Sequence, residues 1–192
     1  SFAEKTNFLI EDGLTGIVGP NGCGKSNIVE SLRWVMGETS AKSMRGSGME
    51  DVIFSGTSNK ASKNIAEVSI EVENKDKEGP IQYRETEQIQ VRRKIEKDKG
   101  SKFYINDKEV RARDAQMFFA DLSTGAHSPS MISQGRIGAL VTAKPTDRRA
   151  ILEEAAGISG LHVRRHEAEL RLGAAENNLK RADELRRQQE KQ

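Results

Sequence analysis

Gly19-Pro20-Asn21-Gly22-Cys23-Gly24-Lys25-Ser26 is the stretch whose reading decides the fold. It satisfies the spacing G-x-x-x-x-G-K-[ST] in full. Before it, Phe8-Leu9-Ile10 and Leu14 to Val18 predict two short buried strands. After it, Ile28, Leu32 and Val35 recur at helical spacing, and Gly37 is placed to stop that helix. A strand, a glycine-rich loop and a helix N-terminus together form a phosphate cradle. The glycines let successive N–H groups turn inward, and the helix end adds partial positive charge. In such a loop Lys25 supplies a cation to the β- and γ-phosphates of a nucleoside triphosphate, and Ser26 supplies a hydroxyl to Mg²⁺. Cys23 fits as a small loop residue.

Composition narrows the rest. The 192 residues are 35% hydrophobic and 31% charged, below the apolar share of about 45–50% in an ordinary globular domain. Part of the chain is therefore expected to be exposed or covered by a partner. No run approaches the roughly 18 apolar residues of a membrane span, and Ser1 to Asp12 lacks the pattern of a signal peptide, so a cytoplasmic protein is expected. With one cysteine there is no internal disulfide. A net charge of +2 from 31 basic and 29 acidic residues gives no global field that would force nucleic-acid binding.

Beyond the Gly-rich region, which runs to about Phe54, residues from about Asn64 to Leu122 predict an antiparallel meander with one solvated face. Val68, Ile70 and Val72 alternate; so do Ile89, Val91 and Ile95 with polar neighbours; and Asn106-Asp107 marks a turn between Phe103-Tyr104-Ile105 and Glu109-Val110. A short helix is expected over Asp114 to Asp121, with Trp34, Phe118 and Phe119 in the core. After Lys144-Pro145 the chain carries no proline to Gln192, which predicts one long helix with Thr146 as candidate N-cap. Its heptads place Ile158, Arg165, Leu172, Leu179 and Arg186 at one seam position, and Leu161, Ala168, Ala175, Ala182 and Gln189 at the other. That thin seam suits an antiparallel coiled coil with a strand not in this sequence, and a solvated helix is the alternative. His162 and His166 lie four apart without a third ligand in register, and His127 lacks any triad arrangement.

The run Gly16 to Asn27, with Asn21 and Asn27 flanking the lysine, resembles the nucleotide loop of the structural maintenance of chromosomes (SMC) ATPases. Four further stretches resemble the same family: Lys42 to Gly46, Met49 to Gly56, Ile132 to Ile137, and Arg148 to Ile158. The wording is nearest to bacterial condensin-type members. The resemblance implies an α/β P-loop NTPase of the ABC type. Residues 1–145 would form the N-terminal lobe of an ATPase head, with its antiparallel β-subdomain, and 146–192 the beginning of the N-terminal coiled-coil helix. It further implies that ATP and Mg²⁺ are bound, with Pro20, Asn21, Gly22, Cys23, Gly24, Lys25, Ser26 and Asn27 around the nucleotide. Gln134 would be the Q-loop glutamine that joins Ser26 on Mg²⁺, and Arg45 an arginine aimed at the phosphates.

Equally telling are the departures. The apolar strand ending in Asp-Glu (Walker B) and the Ser-Gly-Gly signature loop do not occur, since Asp183-Glu184 and Glu153-Glu154 stand in polar helix. The resemblance therefore implies an N-terminal half-head, essentially inactive alone, that needs the C-terminal half of the same head. It also implies a second head in a homodimer, a kleisin-type subunit at the base of the coiled coil, and double-stranded DNA bound without sequence preference near the nucleoid. The local basic runs are Arg92-Arg93-Lys94, Lys97 to Lys102, Arg111 with Arg113, and Lys60 with Lys63, of which the last pair lies in a polar loop between predicted strands. A related ABC-type ATPase of double-strand-break repair and a nonenzymatic nucleotide-binding scaffold are the alternatives.

Overall fold

The computed structural model describes residues 2–41, 47–75, 77, 79–122, 124, 128, 130–133, 136–156 and 158–190. Its centre is a four-stranded antiparallel meander: β1 (Ile65–Glu73), β2 (Gln88–Glu96), β3 (Gly100–Ile105) and β4 (Lys108–Val110), in the order β1-β2-β3-β4. Register follows the side-chain alternation. Ile70 pairs with Val91 and Val91 with Ile105, so one face collects the apolar residues. Asn106 and Asp107 both adopt positive φ, at 46° and 62°, in the two-residue turn that closes β3 onto β4. The Asn106 side-chain oxygen also accepts the Gln90 N–H at 2.8 Å, tying that turn to the neighbouring strand.

Helix α1 (Lys25–Val35) packs on β1 and β2, and α2 (Ala112–Asp121) packs on β3. The core forms where the C-terminal turn of α1 meets the apolar face. Val35, Ile89, Val91, Ile105, Phe118 and Phe119 are buried together, and Trp34, Ile53 and Ile95 form an adjoining cluster. Phe118 and Phe119 meet edge to face with ring centroids 5.3 Å apart, a favoured aromatic geometry. Trp34, Phe118 and Phe119 are thus core residues, as the sequence suggests.

Three expectations are corrected. Phe8-Leu9-Ile10 and Leu14 to Val18 are not strands, and most of their side chains are exposed, with Leu9 82% and Val18 91% accessible. An apolar run becomes a buried strand only beside a hydrogen-bonding neighbour, and among the described residues no strand pairs with either run. Second, the helix after Lys144 starts at Pro145, the position proline favours, and the Lys144 carbonyl accepts the Arg148 N–H at 3.0 Å, so Lys144 and not Thr146 is the cap. Third, that helix is not continuous. Helix α4 (Pro145–Ala155) ends with the Ile158 N–H donating to Glu153 O at 3.1 Å, the six-to-one bond of a Schellman closure, and α5 (Ser159–Glu190) begins anew. Ile158 therefore sits in the break, while Leu172 and Leu179 on α5 are exposed. A short helix α3 (Arg136–Thr142) precedes α4.

Candidate functional site

The glycine-rich loop meets α1 as its spacing requires. Gly22 and Gly24 have φ of 84° and 90°, and Gly24 is the N-cap. Left-handed backbone at a cap is open to glycine and strained for other residues. The Gly24 carbonyl accepts the N–H groups of Asn27 at 2.9 Å and Ile28 at 3.3 Å, which closes the first turn. The backbone N–H groups of Gly22, Gly24, Lys25 and Ser26 find no backbone acceptor among the described residues. Orphan donors at a helix N-terminus are the donor set an anion takes up.

Lys25 folds back over this loop. Its ammonium donates to Gly19 O at 2.7 Å and Pro20 O at 2.6 Å, with Cys23 Sγ 3.9 Å away. Three donors on a flexible stem let the group exchange those carbonyls for phosphate oxygens. Pro20, Asn21, Gly22 and Cys23 are exposed, and Gly24, Lys25, Ser26 and Asn27 half-buried, so the loop is open to solvent. The strand expected to lead into it is absent, as described above. Ser26 offers a neutral oxygen of the kind Mg²⁺ prefers. Arg45 and Gln134, the other two expected site residues, lie outside the described residues, as does His127. Among the described residues no group of three His, Cys, Asp or Glu side chains could hold a metal.

At the other end of α1 stands a residue that the strand pattern hides. Alternation along β2 turns Ile89, Val91, Arg93 and Ile95 inward, and Arg93 is 3% exposed. Its Nη1 donates to Trp34 O and to Glu38 O, each at 2.7 Å, and its Nε donates to Ser101 Oγ at 2.7 Å. The guanidinium lies 4.5 Å from the Trp34 ring centroid and 4.6 Å from that of Phe103. Burial pushes its pKa down to about 10, opposed by the Glu38 carboxylate nearby. Glu38, itself buried, pairs with Arg33 at 3.1 Å and accepts the Ser40 N–H at 2.8 Å. The signal for Arg93 was the gap it makes in an otherwise apolar inward register.

Five of the other basic candidates are ion-paired. Arg92 pairs with Asp107 at 3.0 Å, Lys94 and Lys99 with Glu96 at 2.7 and 2.9 Å, Lys102 with Glu109 at 3.1 Å, and Lys60 with Glu4 at 2.5 Å. Burial of Arg93 removes it from the Arg92-Arg93-Lys94 run. Lys60 and Lys63 sit in a loop that follows a 3-10 turn at Met49–Val52, not a strand. At the head of that turn the Gly48 N–H, the Ser47 hydroxyl and the Ser47 N–H all donate to Asp51, and together they hold its carboxyl below the usual carboxylate range.

The RecF/RecN/SMC N-terminal domain family matches residues 1–136. The chain belongs to that family. It is 55% identical over 185 residues to the chromosome partition protein Smc of Rhodopseudomonas palustris, a match covering 96% of this chain and 16% of that protein. It is 45% identical over 193 residues to the Smc protein of Myxococcus xanthus, covering 100% of this chain and 16% of that protein. This SMC-family chain thus spans about one sixth of the length of those relatives. A solved Smc head with an extended coiled coil, from Pyrococcus furiosus and bound to the C-terminal domain of ScpA, matches with TM-score 0.65 at 30% identity, over 86% of this chain and 41% of that one. Another, from work on ATP-driven dimerization and DNA-stimulated activation of SMC ATPases, matches with TM-score 0.60 at 31% identity, over 76% of this chain and 86% of that one. The fold is accordingly that of the N-terminal part of an SMC ATPase head. No helix among the described residues is long and apolar enough to cross a membrane.

Proposed function

We propose that this chain is the nucleotide-binding N-terminal half of an SMC ATPase head that acts in chromosome partition. The observation that carries the reading is the loop of Gly19 to Ser26, with the N–H groups of Gly22, Gly24, Lys25 and Ser26 lacking backbone acceptors among the described residues and a lysine ammonium folded over it. Residues 1–145 act as the N-terminal lobe and 146–192 as the beginning of the coiled coil, although α4 and α5 divide that second part.

On this reading the N–H groups of the loop and of the first turn of α1 bind the phosphates of ATP, with Pro20, Asn21, Gly22, Cys23, Gly24 and Asn27 shaping the cradle. Lys25 releases the carbonyls of Gly19 and Pro20 and turns its charge to the β- and γ-phosphates. Ser26 and Gln134 would hold Mg²⁺, which would neutralise phosphate charge when bound. Arg45 reaches the phosphates and steadies charge that builds during transfer. A general base and a loop to cap the γ-phosphate come from the C-terminal half of the head and from a second, engaged head. The exposed runs Phe8 to Ile10 and Leu14 to Val18 then gain strand partners in that C-terminal half. The kleisin-type partner joins near the base of the coiled coil, and double-stranded DNA is held through its backbone without sequence preference, at the nucleoid in the cytoplasm.

ATP hydrolysis by the chain alone, and mixed with a C-terminal half carrying Walker B and signature motifs, tests this. Turnover is expected only in the mixture, and Lys25→Ala should lower it by about a hundredfold or more. Steady turnover by the isolated chain that Lys25→Ala abolishes would overturn the division of labour. A mixture that binds nucleotide and assembles but never hydrolyses it would favour a scaffold.

A further inference from the structure

Two ends of one helix are built differently. The amino end of α1 is the accessible nucleotide loop, whereas the carboxyl end is clamped by side chains from elsewhere in the chain. Arg93 from β2 grips the carbonyls of Trp34 and Glu38, and Gln116 from α2 donates its Nε2–H to Gly37 O at 2.7 Å. A buried cation beside the last carbonyls of a helix complements their partial negative charge. The cost of burying a guanidinium is met here by three hydrogen bonds and two ring faces, all in fixed directions. Such a group acts as a locator, since its bonds to the helix end run in directions fixed by the planar guanidinium. Helix α1 has eleven residues, roughly 16 Å at 1.5 Å each, and a rod that short transmits its alignment from one end to the other.

We propose that Arg93 is a positioning residue for the nucleotide loop: by anchoring the carboxyl end of α1 to the β-sheet, it fixes the line along which Lys25 and Ser26 meet phosphate. The proposal rests on the reading of Gly19 to Ser26 as a nucleotide site and assigns the alignment of that site to the meander. Lysine cannot replace this arginine. One ammonium on a shorter reach does not span two carbonyls and the Ser101 hydroxyl while lying flat between two rings.

The test uses the full chain with Arg93→Lys, with Ser101→Ala as a milder variant that removes only the Nε acceptor, and with Asn74→Ala as control. Asn74 ties a remote loop by donating to the carbonyls of Tyr83, Arg84 and Thr86, so its loss destabilises the protein without touching α1. Two readouts are taken below each variant's unfolding transition: exchange of the Asn27 and Ile28 amide protons without nucleotide, and affinity for Mg²⁺-ATP. In Arg93→Lys those two amides are expected to exchange about threefold or more faster, and affinity to fall about tenfold, with smaller shifts of the same kind in Ser101→Ala and none in Asn74→Ala. Unchanged exchange and affinity in folded Arg93→Lys would overturn the proposal. So would equal shifts in Asn74→Ala, because Arg93 would then act only through overall stability. Should Arg93→Lys fail to fold, the same two outcomes are read on Ser101→Ala. If the wild-type chain binds no ATP, the nucleotide reading fails by itself, and amide exchange still decides whether Arg93 aligns the loop.

Discussion

The meander and the segment ahead of the glycine-rich loop are both apolar in sequence, yet only one of them is buried. Ile89 and Val91 have no accessible surface, whereas Leu9 and Val18 are almost wholly exposed. The difference lies in how far along the chain each apolar run must look for a strand partner. In the meander the partner of each strand is the next one along the chain, so closing a short turn completes the ladder and buries one face. A strand feeding a nucleotide loop belongs to a parallel sheet, whose partners come from distant sequence. Hydrophobicity marks both kinds of strand, but only local pairing is self-sufficient.

The strongest way to break this comparison is to truncate one side chain in each region. Ile89→Ala should cost about 2–5 kcal/mol, the transfer and cavity terms for a fully packed aliphatic side chain. Leu9→Ala and Val18→Ala should stay within about 0.5 kcal/mol in this chain, since there is little burial to lose. Urea unfolding of the three variants measures both. If Val18→Ala were as damaging as Ile89→Ala, the apolar run would already be packed in solution and the contrast would disappear. The comparison sharpens on mixing with a C-terminal half-head, where Val18→Ala should begin to weaken association and Ile89→Ala should not do so beyond its effect on folding.

A second substitution probes the buried side of the comparison, at the carboxyl end of α1 where it meets α2. Gly37 has φ of 105°, and a Cβ there would lie 2.3 Å from Gln116 Cγ. Gly37→Ala therefore meets backbone strain and a collision at once, and the Gln116 side chain that must move is the one bonded to Gly37 O. A loss of about 1–3 kcal/mol is expected in chemical denaturation. Gln116→Ala in the same background should recover the part due to the collision and leave the strain. A fully neutral Gly37→Ala would mean that α1 can end differently, and that its carboxyl end is less firmly held than its contacts imply.

Much of this was legible beforehand, and what was not has a physical cause. The glycine-rich turn into α1, the span of α1, the β3–β4 turn and the short aromatic helix all depend on residues close in sequence, where spacing and positive-φ residues carry the information. In the sequence Arg93 reads as part of a basic surface run, because charge usually means solvent. Its burial depends on ring faces and carbonyls from Trp34, Glu38 and Phe103, far away along the chain. The division between α4 and α5 has no proline to announce it, since the chain closes α4 with a backbone bond from Ile158 to Glu153. Of the proposed site, the turn of the glycine-rich loop into α1 is legible in the sequence, whereas the clamp at the far end of that helix is not.

The smallest effect expected tests the solvated face of the meander against its buried one. Glu96 accepts from Lys94 and Lys99, and these two ammonium groups hold its carboxyl down at about 2, against an ordinary value of 4.5. A carboxyl more acidic in the folded state stabilises the fold above its unfolded value. That contribution is therefore fully present above pH 4.5 and disappears as the pH falls toward 2. Because the pairs are solvated, salt should weaken the effect. Glu96→Gln should lower the urea midpoint slightly at pH 7 in low salt and leave it unchanged near pH 2, so wild type and variant converge as the solution is acidified. A difference that persisted at low pH, or that ignored salt, would mean that Glu96 acts through packing. The outer face would then contribute to stability by the same means as the inner one.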